Sequence, residues 1–268
     1  MITRIQKHWD RAGAAAAIAL LALALGCATA PPSDEFAELP EADELYQEGM
    51  EIIDNPTDFL FVDTTNYQEA IDAFQEIVDN YPYSDYAVLA ELRIADAYYV
   101  QERWEEALTY YRDFGELHPD HDQVPYAMLR TALCYVNQVG SEERDQSATK
   151  QALDSLDRLM AQHPYTPEAS EAEALWKEMR TKLGGHVLGI ADFYFEREEY
   201  QAAANRYRSV LNEFPGLGLD ASALYKLGRC YQHMERGEEA QQIFEVILEN
   251  YQGSEVAEAA QDLVPATN

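Results

Sequence analysis

Residues 90–119 read AELRIADAYYVQERWEEALTYYRDFGELHP, and the placing of small, aromatic and proline residues in this stretch decides the fold. Ala95 stands three residues before Tyr98, so both fall on one face of a helix. After the polar break at Gln101-Glu102-Arg103 a second pattern begins, with Ala107 twelve residues and Tyr111 eight residues before Pro119. A small residue lets two helices approach, an aromatic one fills the gap beside it, and proline ends the second helix. The stretch therefore reads as a pair of packed helices.

The pair recurs. Tyr81-Pro82, His118-Pro119, His163-Pro164 and Phe214-Pro215 close four segments, and Tyr251-Gln252 stands where a fifth closure falls. Ala70, Ala107, Ala152, Ala203 and Ala240 each lie twelve residues before the second member, and Phe74, Tyr111, Leu156, Tyr207 and Phe244 lie eight before it. In the preceding segments Ala95 with Tyr98, Ala132 with Tyr135, Ala191 with Tyr194 and Gly228 with Tyr231 repeat the small-then-aromatic pair, and Gly49 with Ile52 is the weakest instance. This resembles tetratricopeptide repeats. The expectation is an all-α tetratricopeptide-repeat solenoid of five repeats, about ten helices.

Spacing shows where the array is altered. The alanines are 37, 45, 51 and 37 residues apart, so repeat three carries 8 extra residues and repeat four carries 14. The first surplus falls on the loop-like residues 140–147. The second is close to four helical turns, which predicts one long helix from about Pro167 to Arg197. Gly184-Gly185 within it costs about 2 kcal/mol relative to alanine and is expected to kink it. Repeat one also has an extra stretch, residues 55–65, between its helices.

The amino terminus reads as an address. Arg4, Lys7 and Arg11 precede an uncharged run of 15 residues, 12–26, too short to span a bilayer comfortably but suited to a signal peptide. The run ends in Ala24-Leu25-Gly26-Cys27, which resembles a bacterial lipobox, with Cys27 as the lipidated residue; cleavage after Ala28 or Ala30 is the alternative. By the sorting rule of such lipoproteins, Ala28 implies the periplasmic face of the outer membrane. Residues 1–26 are thus expected to be signal peptide, 27–41 lipidated cysteine and flexible tether, 42–165 repeats one to three, 166–262 repeats four and five, and 263–268 a disordered tail.

Composition excludes several functions. The net charge is −30, and −32 once the leader's three bases and one acid are removed, which repels phosphate backbones and argues against nucleic acid. The acidity reads as a solvated surface or as the match for a basic partner. Cys134 and Cys230 occupy the same register position two repeats apart, roughly 20 Å from one another by helix diameters, too far for a disulfide, and read as small buried residues. No zinc-protease pattern, nucleophile elbow or phosphate loop occurs. Gly216-Leu217-Gly218 reads as a turn, and His118 and His121 as turn residues without a third metal ligand. No enzyme, no metal and no cofactor is expected.

More specific strings are Tyr81-Pro82-Tyr83-Ser84-Asp85-Tyr86-Ala87 followed by residues 94–99, His118-Pro119-Asp120-His121 followed by Tyr126-Ala127, Arg144-Asp145-Gln146, residues 191–194, and Asn205-Arg206. With the lipobox, the insertion in repeat three and the long helix opening repeat four, they resemble the outer-membrane assembly lipoproteins of the BamD (ComL) family over residues 24 to about 252. The resemblance implies a lipoprotein subunit of the β-barrel assembly machinery, a protein-binding scaffold that helps recognise and insert unfolded outer-membrane barrel proteins. It implies that the front repeats meet the unfolded barrel proteins, that the rear repeats dock on the POTRA domains of a BamA-like core subunit, and that Arg206 is the docking residue. The short insertion and the lack of a long tail after repeat five depart from some members. A tetratricopeptide lipoprotein regulating peptidoglycan synthases or hydrolases is the alternative.

By the tetratricopeptide resemblance, four positions of each first helix line an inner groove. In repeats one to three these include Tyr46, Met50, Ile53, Leu89, Leu92, Tyr99, Tyr126 and Leu129, a set suited to aromatic or aliphatic side chains of a peptide. In repeats four and five they include Asp192, Arg229 and Gln232, suited to polar docking. The competing reading is that these residues pack a tightly wound superhelix against itself.

Overall fold

The computed structural model describes residues 40–54, 58–59, 62–63, 66–142 and 144–264. Cys27, the leader, most of the tether and residues 265–268 lie outside them. Five helix pairs follow one another: α1 (Ala42–Asp54) with α2 (Tyr67–Asn80), α3 (Asp85–Val100) with α4 (Trp104–Leu117), α5 (Val124–Asn137) with α6 (Ser147–Gln162), α7 (Pro167–Glu196) with α8 (Tyr200–Glu213), and α9 (Asp220–His233) with α10 (Gly237–Asn250). A short α11 (Glu255–Gln261) packs on α10 and α9 and closes the array. Each helix packs on the next, and α1 also meets α3 as α5 meets α7, which is the stacking of a tetratricopeptide solenoid.

The small-plus-aromatic rule is visible atom by atom. A Cβ added at Gly49 would come within 2.6 Å of the Phe74 ring, and one at Gly228 within 2.6 Å of the Phe244 ring. Phe74 and Phe244 are fully buried, each contributing about 2–3 kcal/mol by removal from water. Every second helix stops in one way. Tyr81, His118, His163, Phe214 and Tyr251 take φ between −130° and −123° and donate a last N–H to the carbonyl four residues back. In four of them the following proline enforces that departure from helical backbone. The next first helices begin on Ser84, Thr166 and, for α11, Ser254, whose hydroxyls accept from the first turn.

The array is all-α as expected, with one short addition: β1 (Asp58–Phe59) and β2 (Val62–Asp63) pair antiparallel in the stretch joining α1 to α2. The long helix arrives at the expected place but runs unbroken through Gly184 and Gly185. Those glycines serve close approach instead: a Cβ at Gly184 would come within 2.7 Å of Leu219, and one at Gly185 within 2.5 Å of the Glu142 carboxylate. The short α11 brings the described helices to eleven, in keeping with the expectation of about ten. Cys134 and Cys230 are free and fully buried, in separate core clusters.

The insertion in repeat three is folded by one side chain. Gln146 is buried, and its amide donates to the carbonyls of Ser141, Glu142 and Arg144 at 3.2, 3.3 and 3.0 Å. Its oxygen accepts from the Thr149 hydroxyl at 2.9 Å. The loop is thereby tied to the start of α6 and laid against α7, where His186 Nδ1 meets the Glu142 carbonyl.

Candidate functional site

First helices contribute one acidic residue at corresponding points of repeats two and four, Asp96 on α3 and Asp192 on α7. Asp96 accepts from Tyr111 at 2.7 Å, Tyr126 at 2.8 Å and Arg93 at 2.7 Å. Asp192 accepts from Tyr207 at 2.6 Å, and both its oxygens meet Lys226 Nζ, at 2.8 and 2.7 Å. Tyr111 and Tyr207 are the aromatic residues of the helix-pair rule, so the core aromatic of the second helix also fixes the inner-face carboxylate of the first. Burial, and then the Asp96 charge, push the Tyr126 hydroxyl up to about 12 and the Tyr111 hydroxyl higher still. Burial, then the bond to Asp192, also raises Tyr207. All three therefore stay protonated donors at neutral pH.

Around Asp96 the surface is aromatic and cationic. The Arg130 guanidinium lies 4.7 Å from the Tyr99 ring centre and 5.1 Å from that of Tyr126, while its Nε donates to the Tyr126 oxygen at 2.9 Å. Its terminal nitrogens make no hydrogen bond among the described residues. Trp104 meets Tyr99 edge-on at 5.1 Å, and Asn137 donates to the Tyr99 hydroxyl at 2.8 Å. Around Asp192 the equivalent cation, Lys226, is engaged by the carboxylate. Tyr200 and His233 stack there at 4.3 Å with Phe195 edge-on to both.

Six of the eight residues expected in the front groove, Tyr46, Met50, Ile53, Leu89, Tyr99 and Tyr126, are half-buried. Tyr46 sits 5.6 Å from the Phe74 ring and 5.5 Å from that of Tyr86. The other two are corrected. Leu92 is 0% exposed and Leu129 is 5% exposed, so both belong to the core between helices. They sit where a first helix meets its own partner helix, and they support the groove from below without lining it. Arg206 is exposed on α8 and has no ion-pair partner among the described residues. Arg130, Trp104 and Asn137 were not expected at this surface. Arg130 sits four residues after Tyr126, and that i, i+4 spacing was the available signal.

His118 is bonded to Glu91 at 2.9 Å, and His121 accepts from the Gln123 N–H at 3.1 Å, so both rings hold the turn. A trough of about 820 Å³ lies between the repeat-three loop and α7, lined by Ser141, Glu142, Gly185, His186, Ile190 and Phe193 among others. None of the described helices is long and apolar enough to cross a membrane.

Comparison with known proteins finds relatives of this chain. A family model described as "YfiO: Outer membrane lipoprotein" matches residues 42–246. The "Outer membrane protein assembly factor BamD" of Caulobacter vibrioides is 28% identical over 89% of this chain and 75% of that protein. The protein of that name in Rickettsia prowazekii is 27% identical over 88% of this chain and 91% of its own length, and that of Neisseria gonorrhoeae 25% over 86% and 88%. Among solved structures, the TPR2AB domain of yeast Sti1 is 14% identical with a TM-score of 0.44, covering 82% of this chain and 81% of that one. A thermophilic TPR protein of Thermus thermophilus is 15% identical with a TM-score of 0.35, over 83% and 98%.

Proposed function

The chain belongs to the family of YfiO outer membrane lipoproteins, and from that premise we propose that it is an assembly factor for outer-membrane proteins that works as a binding scaffold, without catalysis. The observation that carries the reading is the likeness to outer membrane protein assembly factors across nearly the whole repeat array. The anchor is lipid on Cys27, holding the array at the periplasmic face of the outer membrane; two or more acyl chains make such attachment stable.

The front repeats take the unfolded barrel protein. Transmembrane barrel strands alternate apolar and polar residues and carry aromatics at both ends. Tyr46, Met50, Ile53 and Leu89 offer half-exposed apolar surface to such side chains. Arg130, lying over the rings of Tyr99 and Tyr126, keeps its terminal nitrogens for the carbonyls of an extended chain. Each aromatic contact is worth about 0.5–1.5 kcal/mol, which suits a cargo that must be handed on. The rear repeats, whose Lys226 is already engaged by Asp192, dock on the POTRA domains of the core subunit, with Arg206 as an exposed docking residue.

The test is purification of the tagged, detergent-solubilised protein from its host. The expected partner is a POTRA-barrel subunit, lost on Arg206→Glu and retained on Tyr99→Ala. Recovery of peptidoglycan synthases or hydrolases with no barrel subunit would overturn the reading.

A further inference from the structure

The first helices of a helix-pair array all start at one rim, where each second helix hands over to the next pair. Two turn tips at that rim carry tyrosine directly after the closing proline. Tyr83 is 101% exposed and Tyr165 is 99% exposed. The corresponding residues of the other turns are Asp120, Gly216 and Gly253, the polar or flexible residues that turns favour. Between the two tyrosine tips, Leu117 ends α4 at the same rim and is 67% exposed. Large side chains so free of contact contribute nothing to the core.

Two observations say what this rim meets. First, α1 starts there too, because Tyr46 in its second turn touches Tyr86 in the first turn of α3. The chain that runs back to Cys27 therefore leaves from the rim that bears the tyrosines. Cys27 is fifteen residues before Ala42, which spans at most about 50 Å. Second, the rim is stepped. The α8–α9 turn packs Phe214 and Leu219 against Gly184, far along α7. Roughly 25 Å of helix separates Gly184 from Pro167, at 1.5 Å per residue. The front three repeats thus stand proud of the rear two on this side.

Taking the lipid anchor of the proposed function as given, we infer that the front rim, through Tyr83, Leu117 and Tyr165, rests on the lipid headgroup layer and fixes how the array stands on its membrane. Tyrosine suits that layer, with an apolar ring and a wet hydroxyl. The chain's charge of −30 works against lying flat on an anionic surface, so contact is confined to the tips and favours zwitterionic lipid.

The test uses the full lipidated chain in zwitterionic phospholipid vesicles, with an environment-sensitive dye on a single new thiol. Cys134 and Cys230 are buried with their thiols pushed up to about 12, and stay unlabelled in the folded protein. The new thiol comes from Tyr83→Cys, Leu117→Cys or Tyr165→Cys, or, at the opposite rim, from Glu102→Cys or Glu198→Cys. The first three are expected to show a blue shift and loss of intensity to a lipid-borne quencher, weakening as anionic lipid is added, and the last two neither. Equal signals at both rims, or none at the front rim, would overturn the inference. So would protection at position 83 or 165 in native membranes but not in pure lipid, which would mean a protein covers the rim. If the chain fails to float with vesicles at all, the anchor reading itself falls and takes this inference with it.

Discussion

The junction between repeats two and three and that between repeats four and five superpose in sequence at an offset of 96 residues. Asp96 matches Asp192, Tyr111 matches Tyr207, Cys134 matches Cys230, and Trp104 matches Tyr200. Three differences bear on the chemistry. Where the front has Tyr126 the rear has Ser222, and where the front has Arg130 the rear has Lys226. With a tyrosine present, the front carboxylate is satisfied by neutral hydroxyls and Arg93, and its next cation lies over aromatic rings. With a serine there, the rear carboxylate takes the lysine. Arg93, which pairs with Asp96 in front, is matched by Gly189 in the rear, so three side chains together decide whether a repeat junction presents a cation or spends it internally.

The largest effect should come from removing each carboxylate. The Asp96 side chain is 16% exposed and that of Asp192 is 35% exposed. Asp96→Ala strands the buried Tyr111 hydroxyl, the half-buried Tyr126 hydroxyl and a guanidinium, and should destabilise the front half by about 2–4 kcal/mol. Asp192→Ala leaves Lys226 free to turn to water and should cost about 1–2 kcal/mol. Urea unfolding followed by hydrogen exchange in each half separates the two; equal losses would break the distinction.

Exchanging the cations comes next. Arg130→Lys weakens the cation–ring contacts with Tyr99 and Tyr126 and should lose about 1 kcal/mol, together with affinity for aromatic-rich extended peptides. Lys226→Arg should change stability by less than about 0.5 kcal/mol. Peptide binding by fluorescence anisotropy reads the first, and an unchanged affinity in Arg130→Lys would remove Arg130 and its two tyrosine rings from the function.

Tyr126→Ser makes the front junction resemble the rear, and alkaline pH reads it. Tyr126 ionises near 12 when folded, above the ordinary tyrosine value, so the folded state holds a proton that the unfolded chain releases first. Its contribution is complete below about pH 10 and is lost as pH rises through 12. Tyr111 shifts in the same direction. Tyr126→Ser should therefore flatten the fall in stability between pH 10 and 12. A fall as steep as in the parent chain would assign it to Tyr111, Tyr207 and the two buried thiols.

The pairing of helices was legible because alanine, aromatic and proline each do one job at a fixed spacing, and the 14 surplus residues kept helical phase. The inner surface was less so. Register names a face but not its depth, so Leu92 and Leu129 passed for groove residues although the neighbouring helices bury them. Gly184 and Gly185 read as a weakness in α7 because a sequence shows a missing side chain and not the Leu219 and Glu142 that need its room. The Gln146 clasp was invisible for the same reason, since its three carbonyl partners are backbone and carry no residue signature.

The smallest effect concerns a signal that substitution has hidden. Glu102, Glu198 and Glu235 have φ of 58°, 62° and 58°, the left-handed backbone that favours glycine. In each case the next residue donates to the carbonyl five back: Arg103 to Tyr98, Glu199 to Tyr194 and Arg236 to Tyr231, at 3.0, 3.0 and 2.9 Å. This is the Schellman closure of a first helix, made without its usual glycine. Among the described residues repeat three has no such glutamate, and its insertion follows the first helix there. The left-handed turn costs a glutamate roughly 1 kcal/mol, and glycine's greater freedom when unfolded offsets part of the relief. Glu102→Gly and Glu198→Gly should each stabilise by a few tenths of a kcal/mol, equally in the two halves. Thermal unfolding of the two variants checks it. A gain in one half alone would mean that the turns, unlike the carboxylate junctions beside them, are not equivalent.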